Sequence, residues 1–169
     1  MTKERDWPSI YDDLLRYQAE LSHDLEQMFF RSSPQWGRAN KVLDFGAGNA
    51  HYAKLLSILN PEKSYYCVEP NQDLAKIAER DVASHKIKVI NGSFNDLDEG
   101  NTFDFVYCRH VLSYLTDDER QKFLVWVSRN TSPNAAILTI DAEDDAFYVY
   151  PALPMLEGGN EKFKEKLKE

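Results

Sequence analysis

The chain predicts an α/β fold: a doubly wound parallel sheet of about five strands, with helices on both faces, preceded by a helical segment. Two observations carry that prediction. From Lys41 to Asp141, short runs that are almost wholly apolar alternate with helical periodicities, and strands apolar on both sides belong to a parallel sheet covered on both faces. Right-handed crossovers then leave the doubly wound arrangement as the natural solution. The unusual polar residues also fall just past the apolar runs, where such a sheet places its ligands.

Ile10, Leu14, Leu15, Tyr17, Leu21, Leu25, Met28 and Phe29 recur at helical spacing behind Pro8 and Ser9. They predict one long amphipathic helix, or two with a bend near Leu21 to His23. Arg31 to Asn40 reads as a loop, closing an N-terminal helical cap over residues 1–40. Val42 to Phe45 is the first strand, and Asn49 to Leu59 the helix after it. Ser64 to Val68 is the second strand and runs into Glu69 and Pro70. Asn71 caps a helix to about Ala83. Ile87 to Ile90 is the third strand, stopped by Asn91-Gly92, and Phe103 to Tyr107 the fourth. Val111 to Leu115 reads as a short helix. Thr116 to Glu119 is a capping box that opens a helix to Asn130. Ala135 to Ile140 is the fifth strand, ending a domain that spans residues 41–142. In the tail, residues 143–169, F-Y-V-Y is strand-like and Glu161 to Glu169 has weak helical character.

The 169 residues suit one domain, and 43% apolar with 28% charged residues is ordinary globular composition. A formal charge of −8 speaks against nucleic acid or an anionic membrane as partner, since both need a basic face. The polar N-terminus is no signal peptide, and no apolar run approaches the roughly 20 residues of a spanning helix. Cys67 and Cys108 lie inside apolar runs and read as small buried hydrophobes, which fits a reducing, cytoplasmic setting. His23, His51, His85 and His110 are scattered without metal-ligand spacing, so no metal site is expected.

The stretch K-V-L-D-F-G-A-G-N-A-H-Y, Lys41 to Tyr52, packs a buried strand, a glycine turn and a helix start together. Gly46 and Gly48 suit a backbone that takes positive φ or approaches a ligand closely. Asp44 within the strand needs a partner for its carboxylate. Glu69, ending the second strand, stands where an acidic side chain accepts hydrogen bonds from ribose hydroxyls. A dinucleotide fingerprint needs a third glycine where His51 stands, and no Lys-Ser or Lys-Thr pair marks a phosphate loop. A ligand with a ribose and no phosphate fits better, and a nicotinamide-dependent oxidoreductase is disfavoured.

V-L-D-F-G-A-G-N-A resembles the first motif of class I S-adenosylmethionine-dependent methyltransferases, an acidic residue followed by G-x-G-x-G, with Ala50 in place of the last glycine. Y-C-V-E-P-N, N-G-S-F-N-D-L, F-D-F-V-Y-C-R-H-V-L-S-Y-L and N-A-A-I-L-T-I-D are similar to the family's later motifs, in the same order. The resemblance implies a Rossmann-like fold and S-adenosyl-L-methionine as cofactor. It implies that Gly46, Ala47 and Gly48 approach the methionine end, that Asp44 holds the loop and the amino group, and that Glu69 with Pro70 meets the ribose. Ser93 and Phe94 would flank the adenine, and Arg109 would lie near the methyl-transfer face. Tyr17 and Tyr11 are further candidates on a lid-like first helix, or pack against the domain. No catalytic residue is identified, His110 being a weak candidate for a general base.

The implied activity is methyl transfer to an unidentified acceptor, a small molecule. The alternative is a cofactor-binding domain or fragment without its own turnover. The family sheet has further strands beside the fifth, and this chain ends where they should begin, so those strands are expected to be missing. The fifth strand would then be an apolar edge, which invites a homodimer or cover from Phe147 to Tyr150.

Overall fold

The structure is a computed structural model that describes residues 7–83, 85–97 and 102–141. Five parallel strands form one sheet in the order β3-β2-β1-β4-β5: β1 (Lys41–Phe45), β2 (Ser64–Glu69), β3 (Ile87–Asn91), β4 (Phe103–Arg109) and β5 (Thr131–Ile140). β1 lies at the centre, in register with β2 from Lys41 opposite Ser64 and with β4 from Val42 opposite Phe105. After β3 the chain crosses to the other side of β1, so the strand order reverses between β1 and β4. Crossover loops diverge there and leave a crevice at the carboxyl ends.

Alternate residues of β1 and β4 supply the two faces of the core. Val42, Phe105 and Tyr107 pack with Phe30, Trp36, Tyr52 and Leu56 on one side. Leu43, Val106 and Cys108 pack with Phe123 and Val127 on the other. Helices α3 (His51–Leu59) and α4 (Gln72–Val82) meet over Ala53, Cys67 and Ala78, small residues that let the backbones approach. Asn71 caps α4 by accepting from the Asp73 and Leu74 amides, and the Thr116–Glu119 capping box opens α5 (Asp117–Asn130). Both cysteines are buried and free.

The segment from Arg31 to Asn40, expected as a loop, contains a helical turn, α2 (Pro34–Arg38). Pro34 presets the φ of the first turn, and Trp36 is driven into the core, its ring centroid 4.7 Å from Phe30 and 5.1 Å from Phe105. The buried Lys63 ammonium closes this turn by donating to the carbonyls of Trp36 and Ala39, at 2.9 and 2.7 Å. Tertiary burial of an aromatic overrides the loop-like composition of Ser-Ser-Pro. The structure also lengthens β2, β3 and β4 to Glu69, Asn91 and Arg109, and starts β5 at Thr131. Val111 to Leu115 contains only a 3-10 turn, Leu112–Tyr114.

The first helix is one continuous element, α1 (Trp7–Ser32). Its orientation differs from that of an ordinary amphipathic helix. Ala19, Glu26, Gln27 and Phe30 are its buried residues, whereas Leu14, Tyr17, Leu21, Leu25 and Met28 are exposed. Tyr17 therefore does not pack into the domain. The strand-like F-Y-V-Y and the helical Glu161 to Glu169 fall outside the described residues. Among the described residues, no helix is long and apolar enough to cross a membrane, and no cluster of His, Cys, Asp and Glu is placed to hold a metal ion.

Candidate functional site

A cleft of about 890 Å³ opens at the point where strand order reverses, between α1 and the carboxyl ends of β1, β2, β3 and β4. The turn after β1 forms its floor. Gly46 and Gly48 have φ of 74° and 57°, and Ala50 follows at 54°. A Cβ at Gly48 would lie 2.8 Å from Leu15 Cδ1, and one at Gly46 would run into the Val111 side chain. Both positions favour glycine, Gly46 for lack of room and Gly48 chiefly for its left-handed backbone. Ala50 carries the same left-handed conformation with a Cβ, a cost of about 1–2 kcal/mol.

The amides of this turn are turned inward. Gly46 and Ala47 donate to Val68 O at 2.9 and 3.0 Å, Ala50 donates to Ala47 O, and His51 donates to the Asn49 side chain at 3.0 Å. Gly48 donates to Glu69 Oε2 at 2.7 Å. A phosphate loop needs these amides free and aimed at an anion. Here the Gly46, Ala47, Gly48, Ala50 and His51 amides are occupied, and Glu69 sets a carboxylate against the turn. The floor therefore suits hydroxyl and ammonium groups and repels a pyrophosphate, the physical counterpart of the absent third glycine.

Glu69 is 7% exposed and also accepts from the Asn71 amide at 2.8 Å. Each carboxylate oxygen keeps a further lone pair for a donor in the cleft. Burial raises the Glu69 pKa, although both backbone hydrogen bonds oppose the rise. Asp44, 3% exposed, accepts from the Tyr107 hydroxyl at 2.8 Å. Burial pushes its pKa up to about 7, against the lowering effects of Tyr107 and Arg109. A cationic ligand group beside it would return Asp44 to the carboxylate.

At the end of β3, Ser93 caps a 3-10 turn, Phe94–Asp96, through a reciprocal capping box with Asp96. Phe94 lines the cleft and packs its ring on Phe45 and Trp126, at centroid distances of 5.9 and 5.7 Å. Pro70 lines the same wall. Arg109 reaches the cleft, but its guanidinium is taken: Nε donates to Glu26 Oε2 at 2.6 Å and Nη2 to Oε1 at 3.0 Å. It also lies 3.9 Å from the centre of the Tyr52 ring. Arg109 thus lines the cleft while paired with a carboxylate of α1. His110 follows at φ 53°, its amide donating to Ile140 O at 2.7 Å and its ring on the cleft wall. Burial lowers its pKa and favours the neutral imidazole.

The structure adds residues that sequence reasoning missed. Asp12 on α1 accepts from the Asn49 amide group at 2.7 Å, tying the glycine turn to the helix above it. Arg16 pairs with Asp12 and Asp81, and His51 Nε2 meets Glu20 at 3.1 Å. Asp12, Arg16 and Glu20 recur every fourth residue, a charge pattern that marks one helix face. Which neighbours that face would meet was not written in the pattern.

Comparison with known proteins agrees with this geometry. A methyltransferase-domain family matches residues 42–134, over half of the chain. An uncharacterized methyltransferase of Bacillus thuringiensis is 25% identical over 109 residues, 63% of this chain and 50% of that protein. One from Bacillus mycoides aligns equally. The chain spans about half the length of the curated relatives it matches. Among solved structures, a SAM-dependent methyltransferase from Leishmania major superposes with TM-score 0.61 at 23% identity, covering 76% of this chain and 56% of that one. The plantazolicin methyltransferase BpumL, solved in complex with SAH, gives 0.65 at 14% identity, covering 81% and 52%. The reversal of strand order, the glycine turn and the acidic end of β2 thus have their explanation in descent: this chain belongs to the methyltransferase-domain family of class I S-adenosylmethionine-dependent methyltransferases.

Proposed function

We propose that this chain binds S-adenosyl-L-methionine in the cleft between α1 and the sheet, and transfers its methyl group to a small-molecule acceptor. The observation that carries the reading is the Glu69 carboxylate, fixed by the Gly48 and Asn71 amides beside a turn whose Gly46, Ala47 and Ala50 amides are already bonded. Such a site favours ribose hydroxyls and an ammonium over phosphate. Glu69 with Pro70 takes the ribose, Gly46, Ala47 and Gly48 admit the amino-acid end, and Asp44 holds the ammonium. Ser93 and Phe94 border the adenine. Arg109, locked to Glu26, and Tyr17, on the exposed rim, shape the mouth.

When bound, the cofactor supplies an electrophilic methyl on a positive sulfonium, so the residues of the chain act mainly by position and exclusion of water. His110 is the one proton acceptor we assign. Its imidazole, kept neutral by burial, takes a proton from an acceptor nucleophile that carries one. The acidic composition fits a cytoplasmic small-molecule enzyme, and the edge of β5, which pairs with no second strand among the described residues, is the surface for self-association.

Calorimetric titration with S-adenosylmethionine, S-adenosylhomocysteine and NAD tests the reading. Both adenosyl ligands should bind to the unmodified chain and NAD should not; Glu69→Ala should weaken both. NAD binding without adenosyl binding would sink it. A second reading is a binding domain without its own turnover. Both readings predict binding, and only methyl transfer separates them.

A further inference from the structure

Resting on the cofactor reading above, we propose that the acceptor is an uncharged, apolar molecule with an aromatic ring, seated between Leu21 and Tyr17 of α1 and Tyr114 of the turn after β4. Three observations on the cleft converge on that chemistry.

The first is a group of exposed apolar side chains gathered on the cleft rim. Leu21 is 85% exposed, Tyr114 80%, Tyr17 66% and Leu14 57%, and all four line the cleft. Large apolar side chains gathered at a cleft mouth mark a ligand or partner surface, whereas scattered ones need no explanation. Tyr17 and Tyr114 also offer ring faces, which reward a planar aromatic partner beyond simple burial.

The second is charge. Asp44, Glu69 and Glu119 line the cleft, and Arg109 is the one lysine or arginine among the described residues that line it. Its Nε and Nη2 are directed to Glu26 and Ser22. Beyond the cofactor's own charges, a carboxylate or phosphate on the acceptor would meet carboxylates and an arginine already paired with Glu26, which disfavours an anionic acceptor.

The third is room. The cleft, about 890 Å³, lies near the top of the range for small-molecule sites, so a nucleoside-sized cofactor leaves space for a second small molecule. The polar floor of Asp44, Gly48 and Glu69 and the apolar rim of α1 divide that space by chemistry.

The test is binding of 2-naphthol and of 6-hydroxy-2-naphthoate to the protein saturated with S-adenosylhomocysteine, read by probe fluorescence. The expected result is saturable binding of 2-naphthol, with the carboxylate analogue at least tenfold weaker. Leu21→Asp and Tyr114→Ala replace exposed side chains and leave the core intact. Each should weaken 2-naphthol at least tenfold and leave S-adenosylhomocysteine affinity within about twofold. If S-adenosylhomocysteine itself does not bind, the cofactor reading falls and this inference falls with it. If it binds and the carboxylate matches 2-naphthol, or neither probe binds, this inference alone is overturned. A dimer by light scattering that Leu21→Asp dissolves, without naphthol binding, would make a second copy the occupant and would likewise overturn it.

Discussion

Arg109 at the end of β4 and Glu26 on α1 form a two-pronged ion pair, 83 positions apart in sequence, with hydrogen bonds of 2.6 and 3.0 Å. Burial would raise the Glu26 carboxyl, but the Arg109 hydrogen bond and charge outweigh it and hold Glu26 below the usual range. Removing one partner leaves a buried charge alone. Glu26→Ala should therefore lower unfolding free energy by about 3–5 kcal/mol in urea titration, and replacing both residues by methionine should restore part of it. A group with a depressed pKa stabilises above its unfolded value, near 4.3, and that stability is lost as pH falls through the lower folded value. Unmodified protein should lose the contribution of Glu26 below about pH 4.

Asp44 behaves in the opposite sense. Its pKa, raised to about 7, makes the proton part of the folded site. The associated stability is full below the unfolded value, near 3.9, and disappears as pH rises through about 7. Asp44→Asn should raise the melting temperature of the ligand-free protein at pH 8, with a smaller gain at pH 5. The same change should weaken S-adenosylhomocysteine, whose ammonium loses its partner. Ligand binding at pH 6 should release close to one proton, measurable by calorimetry in two buffers of different ionisation enthalpy.

Glu69 combines two tasks, and two substitutions separate them. Glu69→Ala removes the proposed ribose acceptor and frees the Gly48 and Asn71 amides. Glu69→Gln keeps one acceptor oxygen. Affinity for S-adenosylhomocysteine should fall by about 10- to 100-fold in Glu69→Ala and by less in Glu69→Gln, since a hydrogen bond to a charged group contributes roughly 1.5–3 kcal/mol. Equal loss in both variants would assign Glu69 to charge alone.

Gly46→Ala forces a Cβ against Val111 at a φ of 74°. The side chain cannot retreat without moving the 3-10 turn that follows β4. Stability should drop by about 2 kcal/mol from the backbone conformation and the overlap together. Ligand binding should suffer more, because the turn is the floor of the cleft.

β5 pairs with β4 on one side and with no other strand among the described residues, and Ile137 on it is 45% exposed. The apolar run of that edge, Ala135 to Leu138 with Ile140, invites pairing. Concentration-dependent light scattering should show self-association, and Ile137→Lys should suppress it. A monomer at all concentrations would remove the edge as an interface.

The strand and helix alternation, the glycine turn and the acidic ends of β1 and β2 were legible in the sequence because each rests on local pattern. Apolar runs of strand length, glycine before a helix start and a capping Asn71 are decided within a few residues. They fixed the fold class and pointed to the cofactor. α2 was not legible, because the burial of Trp36 against Phe30 and Phe105 depends on a sheet that forms far away in the chain. The facing of α1 was not legible either. Its apolar spacing promised an inward stripe, yet Asp12, Arg16, Glu20 and Glu26 dock it through Asn49, Asp81, His51 and Arg109. Periodicity says which residues share a helix face and is silent on which face a distant polar surface will claim. Local chemistry thus determined what this chain binds, and the tertiary pairing of charges decided that its apolar helix face stands open at the mouth of the site.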